Sequence, residues 1–186
     1  MGKLIYRMNV SADGFIAAPD GDIGWATVDE EIHGWFNARM RPLQASLYGR
    51  RLYELMNAHW PTAADDPDGT EVEHEFARIW NATPKIVFSS TLQSVGDNAR
   101  LVNGDVGKVL EDLRREFDGD MEVGGANLAG QFVRAGLVDE YDVVVHPATV
   151  GGGTPFWPPL DTPQRLRLIR TRAFESGVVA LTYARA

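Results

Sequence analysis

The chain has 186 residues, a formal net charge of −8, 44% hydrophobic and 24% charged residues, and no cysteine. That is globular composition, at the length of one domain with a sizeable core. The missing cysteines exclude disulfides, thiolate catalysis and iron–sulfur ligation, and the net acidity argues against a nucleic-acid backbone as partner.

The first apolar run, Lys3 to Val10, reads as a buried strand, followed by the turn Ser11-Ala12-Asp13-Gly14 and a short extension, Phe15 to Ala18. Val28 to Met40 carries a helical stripe (Val28, Ile32, Trp35, Phe36), with Asp29, Glu30 and Glu31 at the start, where carboxylates suit the helix dipole. Leu43 to Tyr48 is a second strand, Arg50 to Asn57 a helix, His59 to Gly69 a surface loop, and Glu71 to Asn81 a further helix. Lys85 to Phe88 and Ala99 to Val102 are strands, and Asp105 to Phe117 is a helix. Met121 to Val123 is a short strand turned by Gly124-Gly125 into the helix Ala126 to Ala135. Tyr141 to Val145 is a buried strand and Val150 to Pro159 a Gly/Pro-rich loop; Arg165 to Thr171 and Val178 to Tyr183 close the chain as a hairpin. Strands alternating with helices and ending on a hairpin predict an α/β domain: a mostly parallel sheet, helices on both faces, and antiparallel strands at one edge. The longest apolar runs are too short to span a membrane, and no leader is expected, so the reading is a cytoplasmic protein.

Three strand ends carry groups that suit phosphate. Gly124-Gly125 lets a backbone approach closely and offers free N–H groups at a helix start, although glycine is also the ordinary residue of a tight turn. Tyr48-Gly49-Arg50-Arg51 places two guanidinium groups at a similar junction, and Ser89-Ser90 places hydroxyls after a third strand. In an open parallel sheet these ends lie on one side, where ligands gather. His33, His59, His74 and His146 lack metal-ligand spacing, so no metal is expected.

These segments, taken in order, resemble the dihydrofolate reductase-like superfamily. The branch is that of the reductase domain of the riboflavin-biosynthesis deaminase–reductase and its stand-alone relatives. The resemblance rests on Ser11 to Ala17, Tyr48 to Glu54, Lys85 to Ser90, Glu122 to Leu128, Leu137 to Glu140, and His146-Pro147 through Gly153-Thr154-Pro155-Phe156. It implies a three-layer dihydrofolate reductase-like fold and NADPH as cofactor. The implied cofactor residues are Asn9, Ile16, Ala17, Gly49, Arg50, Arg51, Leu52, Ser89, Ser90, Val123, Gly124, Gly125, Ala126, Asn127, Leu128 and Thr154. Met8, Trp25, Trp35, Phe36 and Val145 would face the substrate, a pteridine, pyrimidine or related small heterocycle, beneath a closing loop, Asp20 to Trp25. Dihydrofolate reductases carry an acid on the first helix before an aromatic pair. Counting back from Trp35-Phe36 reaches Glu31, Ile32 or His33, of which only Glu31 is a carboxylate. Glu31 and Asp13 are therefore the candidate proton donors, and dihydrofolate itself is not expected as substrate. The alternative is an NADP(H)-binding sensor without turnover. A homodimer is expected through the apolar final hairpin, and Gly125→Val is expected to block the cofactor while sparing the fold.

Overall fold

The alternation of apolar strands with amphipathic stretches folds, in the computed structural model, which describes residues 2–186, into an eight-stranded sheet covered on both faces. The strands are β1 (Leu4–Ser11), β3 (Ala45–Gly49), β4 (Lys85–Phe88), β5 (Ala99–Val102), β6 (Met121–Gly124), β7 (Glu140–His146), β9 (Leu166–Ala173) and β10 (Val179–Arg185), in the order β5-β4-β3-β6-β1-β7-β10-β9. All neighbours from β5 to β7 are parallel, and β10 and β9 are added antiparallel, as the sequence predicts. The helices are α1 (Glu30–Met40), α2 (Arg50–Asn57), α3 (Trp60–Ala63), α4 (Glu71–Ala82), α5 (Val106–Glu116) and α6 (Ala126–Arg134).

Period-two alternation divides the strands between two cores. Leu4, Tyr6 and Val10 of β1, with Leu47 and Val123, pack against Leu110 and Leu113 of α5 and Phe132 of α6. On the opposite face Ile5, Tyr48 and Val87 meet Met40 of α1, Tyr53 of α2, and Phe76 and Trp80 of α4. A third cluster joins Ile32 and Trp35 of α1 to Val144 and to Phe174, Val178 and Ala180 of the hairpin. Helix α1 thus buries different faces at its two ends.

Two short elements are additions to the sequence reading. Helix α3 lies within the stretch read as a loop; Pro61 sits in its first turn, where a fixed φ and a missing N–H cost little. Strand β8 (Thr154–Pro155) lies in the Gly/Pro-rich segment and pairs with β2 (Phe15–Ala17) as a separate two-stranded sheet. The approach there is close: a Cβ on Gly153 would lie 2.1 Å from the Ala17 carbonyl oxygen.

Candidate active site

Parallel pairing brings the carboxyl ends of β4, β3 and β6 side by side: Gly49 lies opposite Phe88, and Tyr48 opposite Gly124. Helices α2 and α6 start directly from two of these ends, with Gly49 and Gly125 as N-caps and no side-chain cap on either. The starts of α1, α4 and α5 are instead capped by Asp29, Thr70 and Asp105. The first N–H groups of α2 and α6 are therefore left for an anion. Arg50 bonds Glu54 and the Thr91 hydroxyl (2.9 and 3.0 Å), whereas Arg51 is exposed and has no hydrogen bond or ion pair among the described residues.

Gly125 has φ 85° and ψ 123°, a conformation that side chains disfavour. A Cβ at Gly124 would lie 2.7 Å from Leu52 Cδ2 and 3.0 Å from Tyr48 Cε1. Both glycines thus have structural reasons as well. Gly125→Val would strain the turn rather than spare the fold, because the branched side chain meets the positive φ.

Beside these ends lies a cavity of about 370 Å³. Its floor is Arg7, Met8 and Asn9 of β1, Tyr48, and Glu122 and Gly124 of β6. Its roof comes from α1 (His33, Phe36, Met40), α2 (Leu52, Met56), Trp60 and α4 (Glu73, Phe76), with Val28 at the entrance to α1.

Under the floor a polar row crosses five strands. Arg7 Nε donates to Asp142 (3.0 Å) and Arg7 Nη1 to Glu122 (3.2 Å). The Ser46 and Tyr48 hydroxyls each donate to Glu122 (3.1 Å), and the Thr182 hydroxyl donates to Asp142 (2.6 Å). Arg39 lies 4.0 Å from Asp142. Strand register sets the row: Ser46 faces Glu122, Arg7 faces Asp142, and Asp142 faces Thr182. Burial, with Glu122 alongside, holds the Tyr48 hydroxyl well above its ordinary 10.0, which keeps it a donor.

The His33 ring lies against the touching rings of Trp60 and Phe76 (5.9 and 5.4 Å). Burial lowers its imidazole below the ordinary 6.5, against the opposing pull of Glu73 and Glu75. Buried His146 bonds the Asn9 side chain through Nε2 (2.9 Å), and Trp25 meets its ring edge-on.

The sequence-derived residues divide clearly. Met8, Asn9, Phe36, Leu52 and Gly124 line the cavity. Gly49, Arg50, Arg51, Ser89, Ser90, Gly125, Ala126 and Asn127 follow the three strand ends and two helix starts. Val123 and Leu128 point into the core, which leaves only their backbone for a ligand. Ile16, Ala17 and Thr154 lie at the β2–β8 pair, and Ser89 Oγ is already bonded by the Thr91 and Leu92 N–H groups.

Others are not brought to the cavity. Glu31 pairs with Arg172 (2.7 Å) at the hairpin, because its helical position faces away from the floor. Ile32 is fully buried in the hairpin core, so of the three aligned positions only His33 reaches the cavity. Asp13 accepts from the Ser11 hydroxyl and the Val150 and Gly151 N–H groups; these bonds, the Ser11 one foremost, lower its carboxyl, and they tie down the glycine loop. Trp35 packs against Phe174 with Arg39 over its ring, and Val145 lies on the opposite sheet face. Arg7, His33, Tyr48, Met56, Trp60, Glu73, Phe76 and Glu122 line the cavity without being among the predicted site residues. For Arg7 and Glu122 the signal was a charge inside an apolar strand.

The profile of the RibD C-terminal domain family matches residues 2–180. The chain belongs to that family. It is 31% identical over 184 residues to the Bacillus subtilis protein YyaP, itself uncharacterised, covering 97% of this chain and 94% of the relative. A Shewanella sp. PV-4 structure named for riboflavin biosynthesis superposes with a TM-score of 0.79 at 21% identity, over 99% of both chains. Dihydrofolate reductase from Enterococcus faecalis, complexed with NADP(H), gives 0.66 at 17% identity, over 99% of this chain and 96% of that one. At such identities the two structures establish the dihydrofolate reductase-like fold. Family membership makes this RibD-type domain an oxidoreductase of the reductase kind.

Proposed function

We propose that this protein is an NADPH-dependent reductase of a small planar heterocycle, built as one domain. The observation that carries this reading is the pair of uncapped helix starts at neighbouring strand ends, Gly49 into α2 and Gly125 into α6. Backbone N–H groups there would hold a diphosphate, and Arg50, Arg51 and Ser90 stand where a further phosphate would sit. Bound NADPH would supply the hydride. The chain would orient the substrate between the floor of β1 and β6 and the aromatic roof of α1, α3 and α4, and keep water from the reacting face. His33, facing the cavity, would pass the proton. Glu31 and Asp13 are engaged elsewhere. We also place the protein in the cytoplasm as a homodimer. Edge strand β9 exposes Leu168 and Ile169, and sedimentation velocity would read a monomer if this is wrong.

Titration with NADPH and NADH, followed by tryptophan fluorescence, tests the reading. Saturable NADPH binding at least tenfold tighter than NADH is expected, and no saturable binding of either would refute it. Binding with no oxidation across a heterocycle panel would instead favour a sensor. For His33→Gln, turnover should fall by about 10²-fold, the scale of a lost general acid, with NADPH affinity unchanged. Wild-type turnover should rise as pH drops through the lowered His33 value, and the variant's profile should be flat. An unaltered profile would remove His33 from the proton path.

A further inference from the structure

The ionisable groups lining the cavity are Arg7, His33, Tyr48, Glu73 and Glu122, with no lysine among them. Tyr48 stays protonated. Arg7 contributes one positive charge, whereas Glu73 and Glu122 contribute two negative ones. Arg7 is shared between Glu122 and Asp142, so it offsets only part of their charge, and with Glu73 the lining stays net negative. The unpaired cation nearest the phosphate-compatible ends is Arg51, on α2 beyond the cavity lining.

Arg7 is only 6% exposed, yet its remaining nitrogen, Nη2, has no hydrogen-bond partner among the described residues and is not sealed from solvent. The side chain lines the cavity, which leaves this N–H group free for a ligand there. Glu122 stands beside it with acceptor capacity left after its three bonds. A donor next to an acceptor complements a lactam or amidine edge, such as the carbonyl-and-N–H side of a pyrimidinone ring. The remaining walls are Phe36, Met56, Trp60 and Phe76, which suit flat apolar faces. A volume of about 370 Å³ lies near the small end of ligand pockets, enough for a fused bicyclic ring with short substituents.

We propose that the cavity takes a planar heterocycle bearing no phosphate and no net negative charge, held by a lactam or amidine edge against Arg7 and Glu122. This rests on the reading that the cavity is the substrate end of the site. It deepens that reading by separating this chain's substrate from sugar-phosphate heterocycles. A phosphate monoester brings about −1.5 to −2 charge at pH 7 into a lining that is already net negative.

The test compares 6-hydroxymethylpterin with its phosphate ester, and uridine with uridine 5′-monophosphate. Quenching of Trp60 is the readout, and Trp60→Phe serves as the control that locates the signal in the cavity. Both comparisons are run with and without NADPH, so a failure of cofactor binding leaves the cavity test standing. The unphosphorylated member of at least one pair is expected to bind tenfold or more tightly than its ester. Val28→Lys places a cation at the exposed rim and should narrow that gap. Equal or tighter binding of the esters would overturn the proposal, as would no binding by either neutral compound. A gap unmoved by Val28→Lys would remove charge as its cause.

Discussion

Arg7→Met should lower the melting temperature by roughly 6–20 °C. Glu122 and Asp142 are 7% and 1% exposed, and the Arg7 guanidinium bonds both. Removing one partner of a buried ion pair leaves uncompensated charge and costs about 3–5 kcal/mol, a large share of the roughly 5–15 kcal/mol that holds a domain together. In a chain of this length each kcal/mol moves the transition by about 2–4 °C. The row spans β3, β6, β1, β7 and β10, so the loss should be felt as one cooperative transition rather than as local fraying. Neutralising the partners as well, in Arg7→Met/Glu122→Gln/Asp142→Asn, should restore much of the loss, because amides tolerate burial better than lone carboxylates. Thermal unfolding followed by circular dichroism checks both variants. A single variant as stable as wild type would mean the row does not hold the sheet.

Gly125→Ala should weaken NADPH binding by more than tenfold while costing about 1–3 kcal/mol of stability, the scale of one residue held in a disfavoured backbone conformation. Space is not the obstacle: an added Cβ would lie 3.5 Å from Leu52, an ordinary contact. The obstacle is φ 85°, which an alanine relieves by turning the peptide and with it the N–H groups that open α6. Gly177→Ala is the matched control, since φ is 83° there and the residue sits in the hairpin turn between β9 and β10. Both variants should lose similar stability in denaturant titration, and only Gly125→Ala should lose cofactor. Equal NADPH affinity in the two would make Gly124-Gly125 a turn and nothing more.

The phosphate-compatible ends were legible in the sequence because each is local. A strand, a glycine and a helix start follow one another at Tyr48 to Leu52 and at Val123 to Leu128. The order of elements likewise carried the parallel sheet and its terminal hairpin. Which residue of α1 faces the cavity was not legible, since it depended on the rotation of the helix. Shifting by one residue turns a side chain by about 100° around a helix, enough to exchange Glu31 at the hairpin, Ile32 in the core and His33 in the cavity. The roof was hidden for another reason. Met56, Trp60 and Phe76 belong to three helices, and only packing brings them together. Arg7, Glu122 and Asp142 were readable in principle. Each is a charge within an apolar strand, and buried charges need partners, so three such strands in one sheet point to one another.

In the proposed function the neighbouring ends of β3, β4 and β6 hold the cofactor's phosphates and leave the cavity beside them for the heterocycle. A crystal structure of the protein soaked with NADPH would show where those phosphates sit. Diphosphate density is expected within hydrogen-bonding reach of the Ala126 and Asn127 backbone N–H groups, with the 2′-phosphate beside Arg50, Arg51 and Ser90. Cofactor density elsewhere on the sheet, or an adenosine moiety filling the space between Arg7 and Trp60, would contradict it.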